Sequence, residues 1–329
     1  MTALEALVGP ETAGDPMSAE KWVRSSLRHL SRRLGESGHP ASRPTVKRLL
    51  VTQGYALHVN DKQGEASAHH PERDTQFVQL TAQRRVFAEA GLPIISVDTK
   101  KKELVGNFKN AGRGWRRVAE RVNVHDFPSD ALGHAVPYGI YDLTHNRGTV
   151  YVGTSADTPR FAVDVIARWW AEAGQVSFPQ ATRLLILADA GGSNGCRPRL
   201  WKRQLQEALS DAFGLDVTVG HYPTGCSKYN PIEHRLFGPI SLNWAGQPLR
   251  TWDAILSLLR GTATTTGLAV HAYLHDHPYP TGERVSDADM KTLNLHRHVV
   301  CPTWNYTIRP RCTRLRHPHP EPPNRELIS

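Results

Sequence analysis

The chain has 329 residues, which is enough for two domains. It carries 40 Lys and Arg residues against 31 Asp and Glu residues, so its formal net charge is +9. No apolar run approaches the roughly 20 residues of a membrane helix, the N-terminus from Met1 to Leu7 lacks the basic residues of a secretory signal, and four scattered Cys residues are too few for a disulfide scaffold. These features exclude a membrane protein and a secreted mini-protein, and they predict a cytoplasmic protein with a polyanionic partner.

The basic residues are concentrated in three segments of the chain. Residues 21–50 contain eight basic residues and one acidic residue, and residues 98–126 contain eight basic and four acidic residues. Residues 309–316 add four Arg and no acid. A single run of this kind is as often a solvated face as a binding surface. Three runs together favour nucleic acid as the partner, which predicts a nucleoid-associated protein.

Residues 1–60 are predicted to form an all-α helix-turn-helix module. Apolar residues recur at helical spacing in the first helix, at Val23, Leu27, Leu30 and Leu34. After a turn that contains Gly, Ser42 can cap a second, basic helix. In a helix-turn-helix, this second helix contacts DNA, here through Arg43, Thr45, Lys47 and Arg48. An ordinary helical hairpin with a solvated basic face is the alternative.

Residues 61–90 are predicted to be a polar linker followed by a helix over 74–90. The next block, 91–245, is predicted to be a mixed α/β domain. Short apolar runs predict strands at 93–97, 138–142, 149–153, 183–188 and 215–219. Helices are predicted at 161–173 and 201–212, and one more opens at Asn230. The order of three strands, helix, strand, helix, strand, helix is that of the ribonuclease H-like fold, with helices on both faces of a mixed sheet.

Residues 246–316 are predicted to be a C-terminal helical extension with a terminal strand. Its helices are predicted at 252–260 and 287–295, and its strand at 302–309. The last residues, 317–329, contain four Pro, which predicts a disordered tail.

An aspartate follows directly after two of the predicted strands. Asp98 follows the first strand and Asp189 follows the fourth. Because the strand ends of an open α/β sheet form its usual site, both carboxylates are candidates for one shared site. Glu233 opens the helix after the fifth strand, and the predicted fold would bring all three together. The structural alternatives are a turn at Asp98, a phosphate-cradling Gly-rich loop after Asp189, and a capping box that pairs Asn230 with Glu233.

The three carboxylates predict a site for divalent metal ions. Three ionised carboxylates do not share a site without a cation. Oxygen ligands suit hard divalent cations, and Mg²⁺ or Mn²⁺ suits a phosphate substrate. Two ions roughly 3.5 to 4 Å apart would activate the attacking oxygen and stabilise the leaving one. The predicted chemistry is phosphodiester hydrolysis followed by strand transfer on DNA.

Further residues are candidates for contact with DNA or for support of the site. Basic residues near the strand ends are expected to contact phosphates, namely Lys100, Lys101, Lys102, Lys109, Arg113 and Lys228. Asn194 and His234 flank the carboxylates in the sequence, and His234 is a candidate for proton transfer. The alternative for a basic residue such as Lys228 is a solvated side chain without a DNA contact. The alternative for His234 is a side chain that is packed or faces solvent and transfers no proton.

Several long segments are typical of one protein family. They are 96–103 (SVDTKKKE), 122–128 (VNVHDFP), 188–195 (ADAGGSNG) and 229–237 (YNPIEHRLF), followed by 304–308 (WNYTI) near the C-terminus. In these residues the chain resembles the DDE transposases of the ISAzo-type insertion sequences. The resemblance implies a ribonuclease H-like catalytic core, dependence on divalent metal, and recognition of terminal inverted repeats. It places the acidic triad on Asp98, Asp189 and Glu233.

The chain departs from the family pattern in two respects. Ala190, Cys226 and Gly114 stand where the family has other residues, although all three triad carboxylates are kept. The family also has more helical DNA-binding sequence before the point at which this chain begins. This second difference predicts an N-terminally truncated module, and it puts autonomous transposition in doubt.

The sequence therefore predicts a DNA transposase of an insertion sequence. Its partners would be the terminal inverted repeats and the target DNA, and it would act as a homo-oligomer during synapsis. The alternative is a non-catalytic DNA-binding regulator or a defective transposase remnant, which uptake of divalent cations would discriminate. A ribonuclease H-like nuclease or resolvase shares the chemistry but cleaves without joining ends.

Overall fold

The computed structural model describes residues 3–8, 12–14, 21–23, 26–55, 70–113, 118–124 and 128–311. The chain divides into two compact units, residues 1–64 and residues 65–329. Most of the predicted linker and the whole predicted tail lie outside the described residues. Among the helices that are described, none is long and apolar enough to cross a membrane.

The described part of the first unit consists of short helices and a small antiparallel hairpin: α1 (Ala3–Val8), β1 (Thr12–Gly14), β2 (Lys21–Val23), α2 (Leu27–Glu36) and α3 (Arg43–Thr52). Ser26 and Ser42 cap α2 and α3, and each accepts a hydrogen bond from the backbone N–H three residues on. The helices bury one apolar cluster made by Leu4, Leu30, Leu34 and Val46. Val23 belongs to β2 and not to the predicted first helix, because the Ser26 cap begins that helix later.

The second unit is built on one mixed sheet. Its strands are β3 (Ile94–Thr99), β4 (Glu103–Val105), β5 (Gly133–Asp142), β6 (Arg147–Gly153), β7 (Arg183–Asp189), β8 (Asp216–Tyr222), β9 (Ala269–His275), β10 (Leu295–Arg297) and β11 (Asn305–Ile308). The order across the sheet is β10-β11-β8-β7-β3-β5-β6-β9, and β4 pairs with β5. Strands β3, β7 and β8 are parallel, and β6 is parallel to β9. Because β5 is antiparallel to both β3 and β6, all five of these strands end at the same edge, here called the carboxyl edge.

The predicted ribonuclease H-like arrangement of strands is confirmed. β3 is central, with β5 and β6 on one side and β7 and β8 on the other. The hairpin between β5 and β6 forms at its predicted turn, where Asn146 has a φ of 52°, a left-handed conformation that Asn tolerates. The Asp142 carboxylate supports this turn by accepting hydrogen bonds from the backbone N–H groups of Thr144 and His145.

Helices cover both faces of the sheet. They are α4 (Arg73–Glu89), α5 (Pro159–Trp169), α6 (Gln175–Ser177), α7 (Arg199–Gln204), α8 (Gly238–Asn243), α9 (Trp252–Arg260) and α10 (Asp287–Lys291). A π-helical turn, Trp170–Gly174, joins α5 to α6, and another, Leu205–Asp211, extends α7. α5 and α7 bury Phe161 and Trp201 against one face of the sheet. The opposite face is covered by α4, α8 and α9.

The structure differs from the prediction over residues 246–311. Helix α9 lies where it was predicted, and β11 lies within the strand predicted at 302–309, but β9 and β10 were not predicted. The three strands extend the sheet at both of its sides, so this region is not a helical extension. The helix predicted at 287–295 ends at Lys291, because Leu295 pairs with Ile308 in an antiparallel ladder. Strand β9 was missed because its Ala and His residues weaken the apolar alternation by which strands are recognised.

Candidate active site

Two aspartates stand at the carboxyl edge on neighbouring parallel strands. Asp98 lies in β3, and Asp189 is the last residue of β7. Ser96 pairs with Leu187 between these strands, and two residues further along each strand come Asp98 and Asp189. Side chains two residues apart in a strand project from the same face of the sheet. The register therefore brings the two carboxylates together.

A set of buried polar contacts connects the segment before Glu233 to both strands. The Asn230 side chain, which is fully buried, donates from Nδ2 to Oδ1 of Asp189 at 3.0 Å. The Ser96 hydroxyl donates to Oδ1 of Asn230 and accepts from the backbone N–H of Ile232 at 3.1 Å. Glu233 follows directly, at the first residue of a π-helical turn that leads into α8. Two neighbouring strands therefore fix the start of the helix that carries Glu233.

The capping box predicted for Asn230 and Glu233 is not formed. In a capping box, the Glu233 side chain would accept a hydrogen bond from the backbone N–H of Asn230. That N–H donates instead to the carbonyl oxygen of Ser227 at 2.8 Å. The Asn230 side chain is engaged by Asp189 and Ser96, and the Ser96 hydroxyl satisfies a backbone N–H at the helix start. Capping therefore does not account for Glu233.

The electrostatics of the three carboxylates indicate a shared site. Burial first, then the negative charge of Asp189 and that of Glu233, raise the pKa of Asp98 to about 8. Burial and the charge of Glu233 raise the pKa of Asp189 to about 6, against the opposing hydrogen bond from Asn230. Burial also raises the pKa of Glu233, while the positive charge of Lys100 lowers it. Carboxylates that repel one another in this way are found where they share a site.

The donor set fits a divalent cation. In the described ranges, no three His, Cys, Asp or Glu side chains are arranged to hold a metal ion as they stand. The three carboxylates are nevertheless half-buried oxygen donors whose pKa values are all raised. A hard divalent cation prefers oxygen ligands, and its charge would offset the repulsion between them.

The residues predicted to contact DNA differ in exposure. Five of them are exposed on the second unit: Lys101, Lys102, Lys109, Arg113 and Lys228. Three are exposed on α3 in the first unit: Arg43, Lys47 and Arg48. Thr45 is half-buried, and its hydroxyl is hydrogen-bonded to the Ser42 hydroxyl at 2.9 Å. Lys100 is only 9% exposed, with its ammonium 4.6 Å from the ring centroid of Trp244, so it does not present its charge to a phosphate backbone.

The two predicted supporting residues lie in different environments. His234 is exposed, and its Nε2–H donates to the carbonyl oxygen of Lys228 at 2.5 Å. Asn194 is fully buried in the loop after β7, and its Oδ1 and Nδ2 have no hydrogen-bond partner in the described part of the structure. His234 is therefore open to solvent beside Glu233, whereas Asn194 lies in the interior of the loop.

A chain of buried hydrogen bonds supports the backbone of Asp189. The His221 Nδ1–H donates to the carbonyl oxygen of Asp189 at 2.9 Å. The Tyr306 hydroxyl donates to His221 Nε2 at 3.1 Å, and the Trp201 Nε1–H donates to the Tyr306 hydroxyl at 2.8 Å. Burial lowers the pKa of His221 to about 4, so its imidazole is neutral and accepts the tyrosine proton. Tyr306 lies in β11, within the WNYTI segment of the sequence.

Sequence reasoning missed several residues that hold this arrangement together. Ser96 and His221 were not considered, and Asn230 was considered only as a cap. Ser96 did leave a signal, because it is a polar residue within the apolar run of β3, and buried polar groups need a hydrogen-bond partner. The role of His221 had no comparable signal, because its partners are distant in the sequence.

The strand order and the carboxylates at the carboxyl edge define a ribonuclease H-like protein with an acidic candidate site. A family model described as the Rhodopirellula transposase DDE domain matches residues 3–310. The match spans nearly the whole chain, so the protein belongs to this family of DDE transposases. The resemblance carried by the sequence motifs is thus confirmed, and with it the assignment to transposition and DNA recombination.

The chain is also similar to solved structures of the Mos1 transposase. The Mos1 transposase paired-end complex with left transposon end is 15% identical, with a TM-score of 0.42, over 75% of this chain and 73% of that chain. The Mos1 Strand Transfer Complex is 14% identical, with a TM-score of 0.42, over 78% of this chain and 68% of that chain. The Mos1 mariner paired end complex with Mn is 15% identical, with a TM-score of 0.42, over 75% of this chain and 73% of that chain. No curated protein matches the chain.

Proposed function

We propose that the protein is the transposase of an insertion sequence, which cleaves and joins DNA at terminal inverted repeats. Family membership supports the transposase assignment. The observation that carries the catalytic part is the junction at the carboxyl edge. There, the segment that leads to Glu233 is hydrogen-bonded to the Asp189 carboxylate and to Ser96, two residues before Asp98.

In this proposal Asp98, Asp189 and Glu233 hold two divalent cations, Mg²⁺ or Mn²⁺. Such ions, when bound, supply a Lewis acid for the attacking and leaving oxygens of a phosphodiester. Asp98, with a pKa of about 8, holds a proton at neutral pH and releases it when a cation is bound. Asn230 holds one oxygen of Asp189 by a hydrogen bond, which orients the other for the site.

We assign DNA binding to two basic surfaces, one in each unit. The first is the exposed face of α3, which acts as the recognition helix of a helix-turn-helix and carries Arg43, Lys47 and Arg48. The second consists of the exposed basic residues that follow β3 and precede Glu233, which are Lys101, Lys102, Lys109, Arg113 and Lys228. Both surfaces would neutralise phosphates and release counterions, so DNA affinity should fall with salt.

The test uses the purified full chain, duplexes ending in the inverted repeats of the element, and a target plasmid. With Mg²⁺ or Mn²⁺ the wild type should cleave the repeat ends and join them to the plasmid. Asp98→Asn, Asp189→Asn and Glu233→Gln should each lower the rate about 1,000-fold or more, because the chemistry needs all three carboxylates. Binding to the repeats, measured by fluorescence anisotropy, should persist in each variant.

A matched control is Asp276→Asn, which removes a carboxylate just beyond β9 at the same edge of the sheet. Its Oδ1 accepts from the Thr154 hydroxyl at 2.7 Å, so it has a role outside the triad, and cleavage should continue. Cleavage unchanged in all three triad variants would contradict the site. Repeat binding without any cleavage by the wild type would favour a DNA-binding regulator, and cleavage without joined products would favour a nuclease or resolvase.

A further inference from the structure

Asp157 is a fourth carboxylate at the carboxyl edge. It lies in the loop between β6 and α5, and its side chain is only 15% exposed. Because β6 ends at the same edge as β3, this loop lies beside the end of the strand that carries Asp98. The charge of Asp157 also contributes to the raised pKa of Asp98, which is consistent with this proximity.

Thr99 connects Asp157 to Asp98 through two hydrogen bonds. The Thr99 hydroxyl donates to Oδ1 of Asp157 at 3.1 Å. The backbone N–H of the same residue donates to Oδ1 of Asp98 at 2.8 Å. Lys102 lies on the other side of Asp157, with its ammonium 3.6 Å from Oδ2. Both oxygens of Asp157 are therefore engaged by residues of the segment that follows Asp98.

These contacts restrict the orientation of the Asp98 carboxylate. Thr99 is β-branched, so few χ1 rotamers are open to it, and a fixed hydroxyl also fixes the residue that bears it. The backbone N–H of Thr99 is then held toward Oδ1 of Asp98, which leaves Oδ2 for a cation. The Lys102 ammonium lies 3.6 Å from Oδ2 of Asp157 and so offsets the negative charge that this carboxylate adds beside the triad.

We propose that Asp157 is a positioning residue, which acts through Thr99 to hold the Asp98 carboxylate in the orientation that binds a cation. The proposal rests on the proposed function, because it takes Asp98 to be a cation ligand. Residues that orient a metal ligand through a hydrogen bond typically change metal affinity about 10- to 100-fold when they are replaced. Asp157 itself need not touch the cation.

The test is Mn²⁺ binding to the full chain without DNA, measured by titration calorimetry, so that it does not depend on catalysis. Thr99→Val and Asp157→Ala should each weaken Mn²⁺ binding about 10-fold, because each breaks the same connection. The double variant should be no more than about 3-fold weaker than either single variant, because the two residues act in series. Thr99→Ser keeps the hydroxyl and should restore binding close to that of the wild type.

The chain offers a matched control at the same edge. The Thr154 hydroxyl donates to Oδ1 of Asp276 at 2.7 Å, which is the same kind of pair, but it contacts neither Asp98 nor Thr99. Thr154→Val and Asp276→Ala should leave Mn²⁺ affinity unchanged. Thermal unfolding of each variant without Mn²⁺ would separate a loss of positioning from a loss of folded protein.

Several results would overturn the proposal. One is an unchanged Mn²⁺ affinity in Thr99→Val, and another is a loss in the double variant equal to the two single losses combined. If Asp157→Ala binds one ion fewer than the wild type, Asp157 is itself a ligand and not a positioning residue. If the wild type binds no Mn²⁺, the cation site of the proposed function is wrong, and this proposal is wrong with it.

Discussion

Two basic segments of similar composition have different environments. On α3, Arg43, Lys47 and Arg48 all point to solvent from a helix held in place by its apolar face. In the run that follows β3, Lys100 is enclosed against Trp244. The next two residues each have their ammonium within 4 Å of a carboxylate oxygen, Lys101 beside Glu103 and Lys102 beside Asp157.

This comparison shows that a run of lysines is not one functional unit. The position of each residue relative to the sheet decides whether its charge is available to DNA. Lys100 lowers the pKa of Glu233, and Lys102 pairs with the carboxylate that is connected to Asp98. Among the described residues of the first unit, no carboxylate is paired with Arg43, Lys47 or Arg48, so these exposed side chains are available to phosphates.

The largest effect on DNA binding is expected for the combined change of Arg43, Lys47 and Arg48 to Ala. If α3 is the recognition helix, affinity for the inverted repeats should fall about 100-fold near 0.1 M salt, and the salt slope should fall by about 3. Fluorescence anisotropy over a salt series measures both quantities. The control is Arg28→Ala with Arg32→Ala on α2, which should have a smaller effect. Equal losses from the two helices would show that α3 has no special role.

A smaller effect is expected for Lys100→Ala. Loss of the Lys100 side chain should lower the free energy of unfolding by about 1–2 kcal/mol, because its packing and its cation–π contact with Trp244 are removed. The salt slope of DNA binding should stay unchanged, because this ammonium is enclosed. Chemical denaturation and anisotropy provide the two measurements.

Lys101→Ala is the matched control for Lys100→Ala. Its side chain is 76% exposed and lies 3.8 Å from Glu103, so its removal should change the free energy of unfolding by less than about 0.5 kcal/mol. Its salt slope should fall by about 1 if it contacts a phosphate. A Lys100 variant that changes the salt slope as much as the Lys101 variant would contradict the distinction between the two residues.

The last effect concerns the pH dependence of stability and the Asp98 carboxylate. The pKa of Asp98 is raised to about 8 in the folded chain, so the folded state keeps a proton that the unfolded state has already released. Without divalent cations, the stability from this group is therefore greatest at low pH and is lost as the pH rises through about 8. Thermal unfolding at a series of pH values should show this decline, and Asp98→Asn should reduce it. A decline of the same size in that variant would assign it to other groups.

Much of the site could be predicted because strand ends in a parallel sheet lie at a common edge. Asp98 and Asp189 each follow an apolar run, and the structure pairs the two strands in parallel at a register that aligns them. The order of strands and helices was also accessible, because the apolar periodicity changes clearly between them. What the sequence predicted was thus the placement of elements.

The contacts between distant residues were not predictable in the same way. The role of Asn230 depends on Ser96 and Asp189, which lie far away in the sequence, and local reasoning assigned it to a cap. The enclosure of Lys100 depends on where Trp244 packs. Strands β9 to β11 join the sheet through pairing with β6 and β8, which no local pattern specifies.

The hydrogen-bond chain from Trp201 through Tyr306 and His221 to Asp189 has a consequence for synthesis of the protein. All three carboxylates of the candidate site are translated before Tyr306, and strand β11 can pair with β8 only after Tyr306 has been translated. Until then, the backbone carbonyl of Asp189 has its imidazole partner but lacks the Tyr306 phenol, which holds the imidazole and connects it to the Trp201 indole. A nascent chain therefore carries the acidic residues without their full support. In the proposed function, the acidic site is therefore fully supported only after β11 has been translated and has paired with β8.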